Sequence, residues 1–225
     1  MHIHLPKPLH GWRAFVGEIA VIVLGILIAL TAEHLVEQHR WNREVAETRH
    51  AADAEIAHDF GVFEYRVAQK ACVDRRVAEL ERWMQSWRDK RPVALKGPIG
   101  SPPGFGIHFS VWDAASGEAR AHMPLDEKLT YAGLYDVLKS YNQQRNSERE
   151  AWTTLADYDG VADLTREDLI RIRGLVSRIK AFNTTLPGFA PYVRKPAAKL
   201  GIKADLGPVP EVARKLNAEF CKPAL

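Results

Sequence analysis

Hydrophobic positions along this 225-residue chain follow two different patterns. The first is a continuous apolar run from Ala14 to Ala32, AFVGEIAVIVLGILIALTA, with Glu18 as its single charge. As a helix it would extend about 28 Å, close to the hydrocarbon thickness of a bilayer. Between Ile19 and Leu30 no polar face exists, which excludes a surface amphipathic helix. A buried core helix of this kind would need more surrounding protein than the chain supplies. A cleaved signal peptide wants small residues at −3 and −1. Cutting after Ala32 places Leu30 at −3, and cutting after Thr31 places Thr at −1. The run therefore reads as an uncleaved signal anchor, a transmembrane helix over residues 14–32.

The second pattern is helical periodicity in polar surroundings. From Glu33 to Asp89 there is no proline and one glycine, Gly61. Apolar residues recur at helical spacing as Ala52, Ile56, Phe60, Phe63, Val67, then Val73, Val77, Leu80, Met84 and Trp87. This predicts that the membrane helix continues into a long stalk over residues 33–91, with Gly61 the candidate kink. Residues 92–109 are rich in proline and glycine and read as a long loop. The remainder, 110–225, reads as the rest of a helical bundle. A short helix Ser110–Ser116 has Ser110 and Asp113 at N-cap spacing, with Gly117 closing it. A long helix from Pro124 to about Tyr158 carries the stripe Leu125, Leu129, Leu134, Leu138, Tyr141, Trp152, Leu155. A third starts at Thr165 with Asp168 three residues on, and runs to about Asn183. From Pro187 the chain is proline-rich until an end helix, Val209–Phe220. No period-two runs of β-branched residues occur. The predicted class is all-α, an antiparallel helical bundle on a stalk that leaves the membrane.

Composition changes this picture little. Apolar residues make up 46% of the chain, enough for a core, which excludes a disordered tail. The mean hydropathy of −0.24 averages a lipid-embedded segment with a polar domain. Charge adds more. The tail 1–13 holds Lys7 and Arg13 and no acid precedes Glu18, whereas Glu33 and Glu37 mix with Arg40 and Arg43 on the far side. The positive-inside rule puts the N-terminal tail in the cytoplasm and the remaining domain outside, in the periplasm of a bacterium. Trp12 and Trp41 are candidate interface anchors, with ordinary packing the alternative for Trp41. The net charge of +3 divides unevenly: residues 33–164 hold 17 basic and 22 acidic groups, net −5, and residues 165–225 hold 12 and 5, net +7. Either the two parts neutralise each other within one bundle, or the basic C-terminal region faces an anionic surface or acidic partner. Nucleic acid is not an expected partner in this compartment.

Candidate chemistry is sparse. The two cysteines, Cys72 and Cys221, suit an oxidising compartment and could bridge the C-terminus to the long helix; two buried thiols are the alternative. Glu18 shares a helix face with Ala14, Gly25 and Ala29. An intramembrane carboxylate is a functional candidate, and Gly25 with Ala29 is a small-xxx-small pair that permits close helix approach. That face is expected to pack on another transmembrane helix, its own copy or a partner. No cofactor or metal site is read: His34 and His39 do not share a face, His2 and His4 lie in the tail, and HExxH is absent. Asp126 with Glu127, and Asp157 with Asp159, are explained by helix ends. Ser110 near His108 lacks a nucleophile elbow. Tyr131, Tyr135, Tyr141, Trp112 and Trp152 could line a pocket but read first as core.

The residues HLPKPLHGW (His4–Trp12) and GE-x-x-VIVLGILIAL (Gly17–Leu30), with SVWDAASGEARAHMP, LYDVL and Trp152 further on, resemble an uncharacterised family of small single-pass bacterial inner-membrane proteins. These have a basic N-terminal tail, a Gly-Glu-led apolar anchor and a helical exported domain. The resemblance covers the anchor closely and the remainder loosely. It implies topology and no catalytic activity. If a partner reads the anchor pattern, Lys7, Trp12, Gly17 and Glu18 would be its contacts. The expected function is non-enzymatic: an accessory protein acting through homo-oligomerisation or as a subunit of a larger inner-membrane complex. The alternative is a ligand-sensing bundle that signals through a partner chain.

Overall fold

The computed structural model describes residues 12–115 and 117–225, with the side chains of all of these but Arg13 and Ala14. The described residues form seven helices and no strand: α1 (Trp12–Ala68), α2 (Lys70–Arg88), α3 (Ser110–Ala114), α4 (Gly117–His122), α5 (Leu125–Ala156), α6 (Arg166–Leu200) and α7 (Glu211–Phe220). The all-α class and the long N-terminal helix are as expected. At 57 residues α1 is about 85 Å long and runs unbroken from the apolar segment into the bundle. Its first half is exposed; its side chains enter a core from Val45 onward.

Register contacts give the direction of each helix. Arg49 pairs with Glu127, Tyr131 with Asp53, Tyr135 with Glu55, and Arg66 with Glu148. Numbers rise together, so α5 runs parallel to α1. The 36-residue connection from Asp89 to Pro124 allows this, because it descends along the α1–α2 arm before α5 starts upward again. By contrast α6 runs antiparallel to both: Lys180 pairs with Glu81, Arg194 with Glu64, and Lys199 with Asp126. These three pairs also join the basic C-terminal region to the acidic one, so part of the uneven charge is neutralised inside one bundle.

Two hydrophobic clusters fill this three-armed bundle. One joins Ile56 and Phe63 of α1 to Leu134, Tyr135, Leu138 and Tyr141 of α5 and Leu186 and Val193 of α6. The other joins Val73, Val77, Leu80 and Trp83 of α2 to Trp152 and Leu155 of α5 and Ile172, Val176 and Ile179 of α6. The periodic stripe on α1–α2 is thus the core face.

Several expectations are corrected. The helix does not break at Gly61 but at Gln69, where α1 passes to α2. Glycine at 61 answers a close approach: a Cβ there would collide with the backbone of Asp205 and Leu206. Leu125 and Leu129 are exposed, because Leu134 lies about two and a half turns beyond Leu125 and so on the opposite face. The helix begun by the Thr165–Asp168 capping box does not stop at Asn183. It runs through Pro187, Pro191 and Pro196 to Leu200, where Gly201 takes the left-handed φ of 77° that ends it. Pro187 and Pro191 face solvent, while Leu186, Val193 and Ala197 continue the buried stripe. Ser110 is not an N-cap: Phe109 occupies that position, and Gly117 opens α4 rather than closing α3. Ser116 lies outside the described residues.

Candidate functional site

The apolar half of α1 is the first region to consider. It is the one helix among the described residues long and apolar enough to cross a membrane, and none of its apolar window is buried by the rest of the chain. Glu18, Gly25 and Ala29 all lie on exposed helix within it. A Cβ at Gly17 or at Gly25 would meet nothing within 4 Å, so no contact inside the described chain requires glycine there. Gly17, Glu18, Val21 and Ile22 line a shallow notch on this helix. Ala14 belongs to α1, but its side chain, like all of Lys7, lies outside what is described. Trp12 is exposed. Trp41 is not: its ring stacks on His122 of α4 at 4.5 Å, Arg40 lies over it, and its indole N–H reaches Glu37.

The second region is a polar spine along α1 and α2 that holds the connection and the C-terminal tail. Glu55 accepts hydrogen bonds from the hydroxyls of Tyr135 (2.9 Å) and Ser110 (2.9 Å) and from the Val111 N–H. Asp59, fully buried, accepts the N–H of His108 at 3.0 Å. Burial pushes the Asp59 carboxyl up to about 7, against the lowering effect of that N–H. One turn beyond Val62, Arg66 makes a bidentate bond to Glu148 (2.6 and 3.1 Å) and a third bond to Asn183 (2.9 Å). Trp152 donates its indole N–H to the same Glu148. In α2, Arg76 donates to the carbonyls of Pro98, Ile99, Phe220 and Lys222, and Glu79 accepts the N–H of Ala224. Burial lowers the Arg76 guanidinium from its ordinary value, and Glu79 beside it opposes this. Cys72 and Cys221 form a disulfide with Cα atoms 4.9 Å apart, fastening the C-terminal tail to α2.

At Asp59 the spine meets two imidazoles. His58 precedes it on α1, and His108 folds over from the connection, with Nδ1 3.9 Å from Oδ1 of Asp59. One ligand atom from each of His58, Asp59 and His108 lies within 4.8 Å of the others. No local histidine motif marks this group, because its third member is 49 residues from Asp59 in sequence. It also separates His108 from Ser110, whose hydroxyl is engaged by Glu55.

The aromatic residues belong to the core. Trp112 stacks on Tyr131 and Tyr135, while Tyr135 and Trp152 sit in different clusters, each essentially without exposure. Burial pushes the Tyr141 hydroxyl up to about 12. One small cavity of about 160 Å³ reaches Trp152 between Tyr65, Arg66, Arg145 and the 101–106 loop. Small-molecule pockets usually run from about 300 to 1,000 Å³, so this one is narrow for a ligand-sensing role. A larger open groove, about 940 Å³, lies between α2 and α6, with Met84, Leu169 and Val176 apolar and Arg88, Arg166, Arg173 and Lys180 basic. The paired acids are structural partners: Asp126 and Glu127 hold Lys199 and Arg49, and Asp159 accepts the Ile99 N–H.

Comparison with protein-family models, with curated proteins and with solved structures found no match.

Proposed function

We propose that this chain is a non-enzymatic accessory protein of a bacterial inner membrane, one of the small single-pass family its anchor resembles. It acts by packing its transmembrane helix against another, a second copy or a partner subunit, while the bundle stands in the periplasm. One observation carries the reading. The apolar half of α1 projects unburied from a bundle that is otherwise well packed, and the same helix enters that bundle without a break. A helix with no core to enter has the bilayer as its natural surroundings. Its continuity into residues the bundle needs supports retention as an anchor over removal as a signal peptide.

The finer assignments rest on further features. Lys7 and Arg13 against Glu33 and Glu37 support a cytoplasmic N-terminus. The Cys72–Cys221 disulfide supports an oxidising compartment for the bundle. The Glu18–Gly25–Ala29 face supports helix–helix association, since small residues allow backbones to approach and a carboxylate in the span gains from a partner. The basic groove between α2 and α6 is a second surface suited to an acidic partner.

Gentle detergent extraction followed by mass measurement and identification of bound proteins tests the reading. The expected particle is larger than one chain plus detergent, and Gly25→Leu with Ala29→Leu reduces it to a monomer. A strictly monomeric particle with nothing bound overturns the proposal.

A further inference from the structure

The group formed by His58, Asp59 and His108 goes beyond an anchoring role. Asp59 is a carboxylate with no exposed surface, in the field of Glu55 as well, and the backbone N–H of His108 is the one hydrogen bond it is shown to accept. A buried carboxylate so thinly compensated is costly unless a cation shares its site. Arg145 is the guanidinium whose charge lowers it, and that guanidinium is committed to the Phe105 carbonyl and Asn142. Two imidazoles approach the carboxylate instead: their ring centroids are 5.2 Å apart at an angle of 43°.

We propose that His58, Asp59 and His108 bind one divalent transition-metal ion of the zinc class. Two imidazole nitrogens and one carboxylate oxygen form a donor set for such ions, whereas magnesium and calcium want oxygen ligands. A metal about 2.1 Å from each donor needs the donors within roughly 3 to 4 Å of one another. The ligand atoms now all lie within 4.8 Å of one another, and the remaining closure is asked of rotation of the His58 and His108 side chains, of which His108 is exposed. Asp59 is already oriented by the His108 N–H, as metal-ligating carboxylates usually are. With three protein ligands the fourth position is left for water or an outside group. Because His58 and Asp59 belong to α1 and His108 to the connection, the ion would clamp the 92–109 segment onto α1.

The test titrates the full-length protein in detergent with Zn²⁺ against a chromophoric chelator, and with Co²⁺ read by its visible absorption. The histidines of the tail, His2, His4 and His10, are a competing site, so two variants are compared. The His58→Ala/His108→Ala variant is expected to lose at least about tenfold in affinity and to lose the Co²⁺ band. The His2→Ala/His4→Ala/His10→Ala variant is expected to retain both. Circular dichroism of the first variant shows whether its helices remain; both substituted histidines lie outside the hydrophobic clusters. Saturable binding lost only with the tail histidines, binding unchanged in the first variant, or no saturable binding overturns the proposal.

Discussion

Single residues in this bundle are most informative where polar groups are buried. Arg66 and Glu148 are almost fully enclosed and pair bidentately, Asn183 and Trp152 add one bond each, and Nη1 of Arg66 has no hydrogen-bond partner. Removing one partner leaves a charge without compensation in a dry environment, which typically costs about 3–5 kcal/mol. Glu148→Ala is therefore expected to lower the unfolding free energy from urea titration by that amount, and a value near that of the wild type would contradict the network's role. Gly61 is a second such residue. Since a Cβ there meets the backbone of Asp205 and Leu206, Gly61→Ala should cost about 1–3 kcal/mol by overpacking, read in the same experiment. Neither feature was legible in the sequence. Arg66 and Glu148 are 82 residues apart, and Gly61 reads locally as a kink although its reason lies 145 residues away.

At the scale of elements the sequence was a better guide, and its failures have physical causes. The α1–α2 stripe, the capping box at Thr165 and the proline-glycine connection followed from spacing alone. Ending a helix near Asn183 followed the rule that proline interrupts the hydrogen-bond ladder. In α6 the rule is overridden: Pro187 and Pro191 sit on the exposed face, while Leu186, Val193 and Ala197 hold the inner face by packing. Leu125 and Leu129 depart from the expected stripe because the leucines of α5 are spread over two opposite faces. The same scale governs the disulfide. It joins α2 to the residue after α7 across 149 residues of chain, and α7 itself buries little besides Phe220. In the chain-entropy account a loop that long is worth about 4–5 kcal/mol, with a measured range for native disulfides of about 2–5. Cys72→Ser/Cys221→Ser should lower stability within that range and expose the C-terminal tail to proteolysis. Unchanged stability and an intact tail would show that the contacts of Arg76 and Glu79 suffice to hold it.

Considered whole, the molecule is a helical rod with two unlike ends. One end is a bundle with two hydrophobic clusters and ion pairs that tie its helices together. The other is an apolar helix whose residues find none among those described. The candidate membrane helix was legible because it rests on composition and length alone. The His58–Asp59–His108 group was not, because it requires the connection to return along α1. The proposed function depends on one claim, that the Glu18–Gly25–Ala29 face of the membrane helix meets another helix. Placing a photo-reactive amino acid at single positions of the full-length protein, irradiating intact membranes and resolving the adducts tests it most directly. Val21 and Ile22 flank the small-residue face, whereas Val23, Leu27 and Leu30 lie on the opposite side. The expected result is a protein adduct, to a second copy or to one partner, from Val21 and Ile22 and none from Val23, Leu27 or Leu30. Adducts from both faces alike, or protein adducts from neither, would contradict the account.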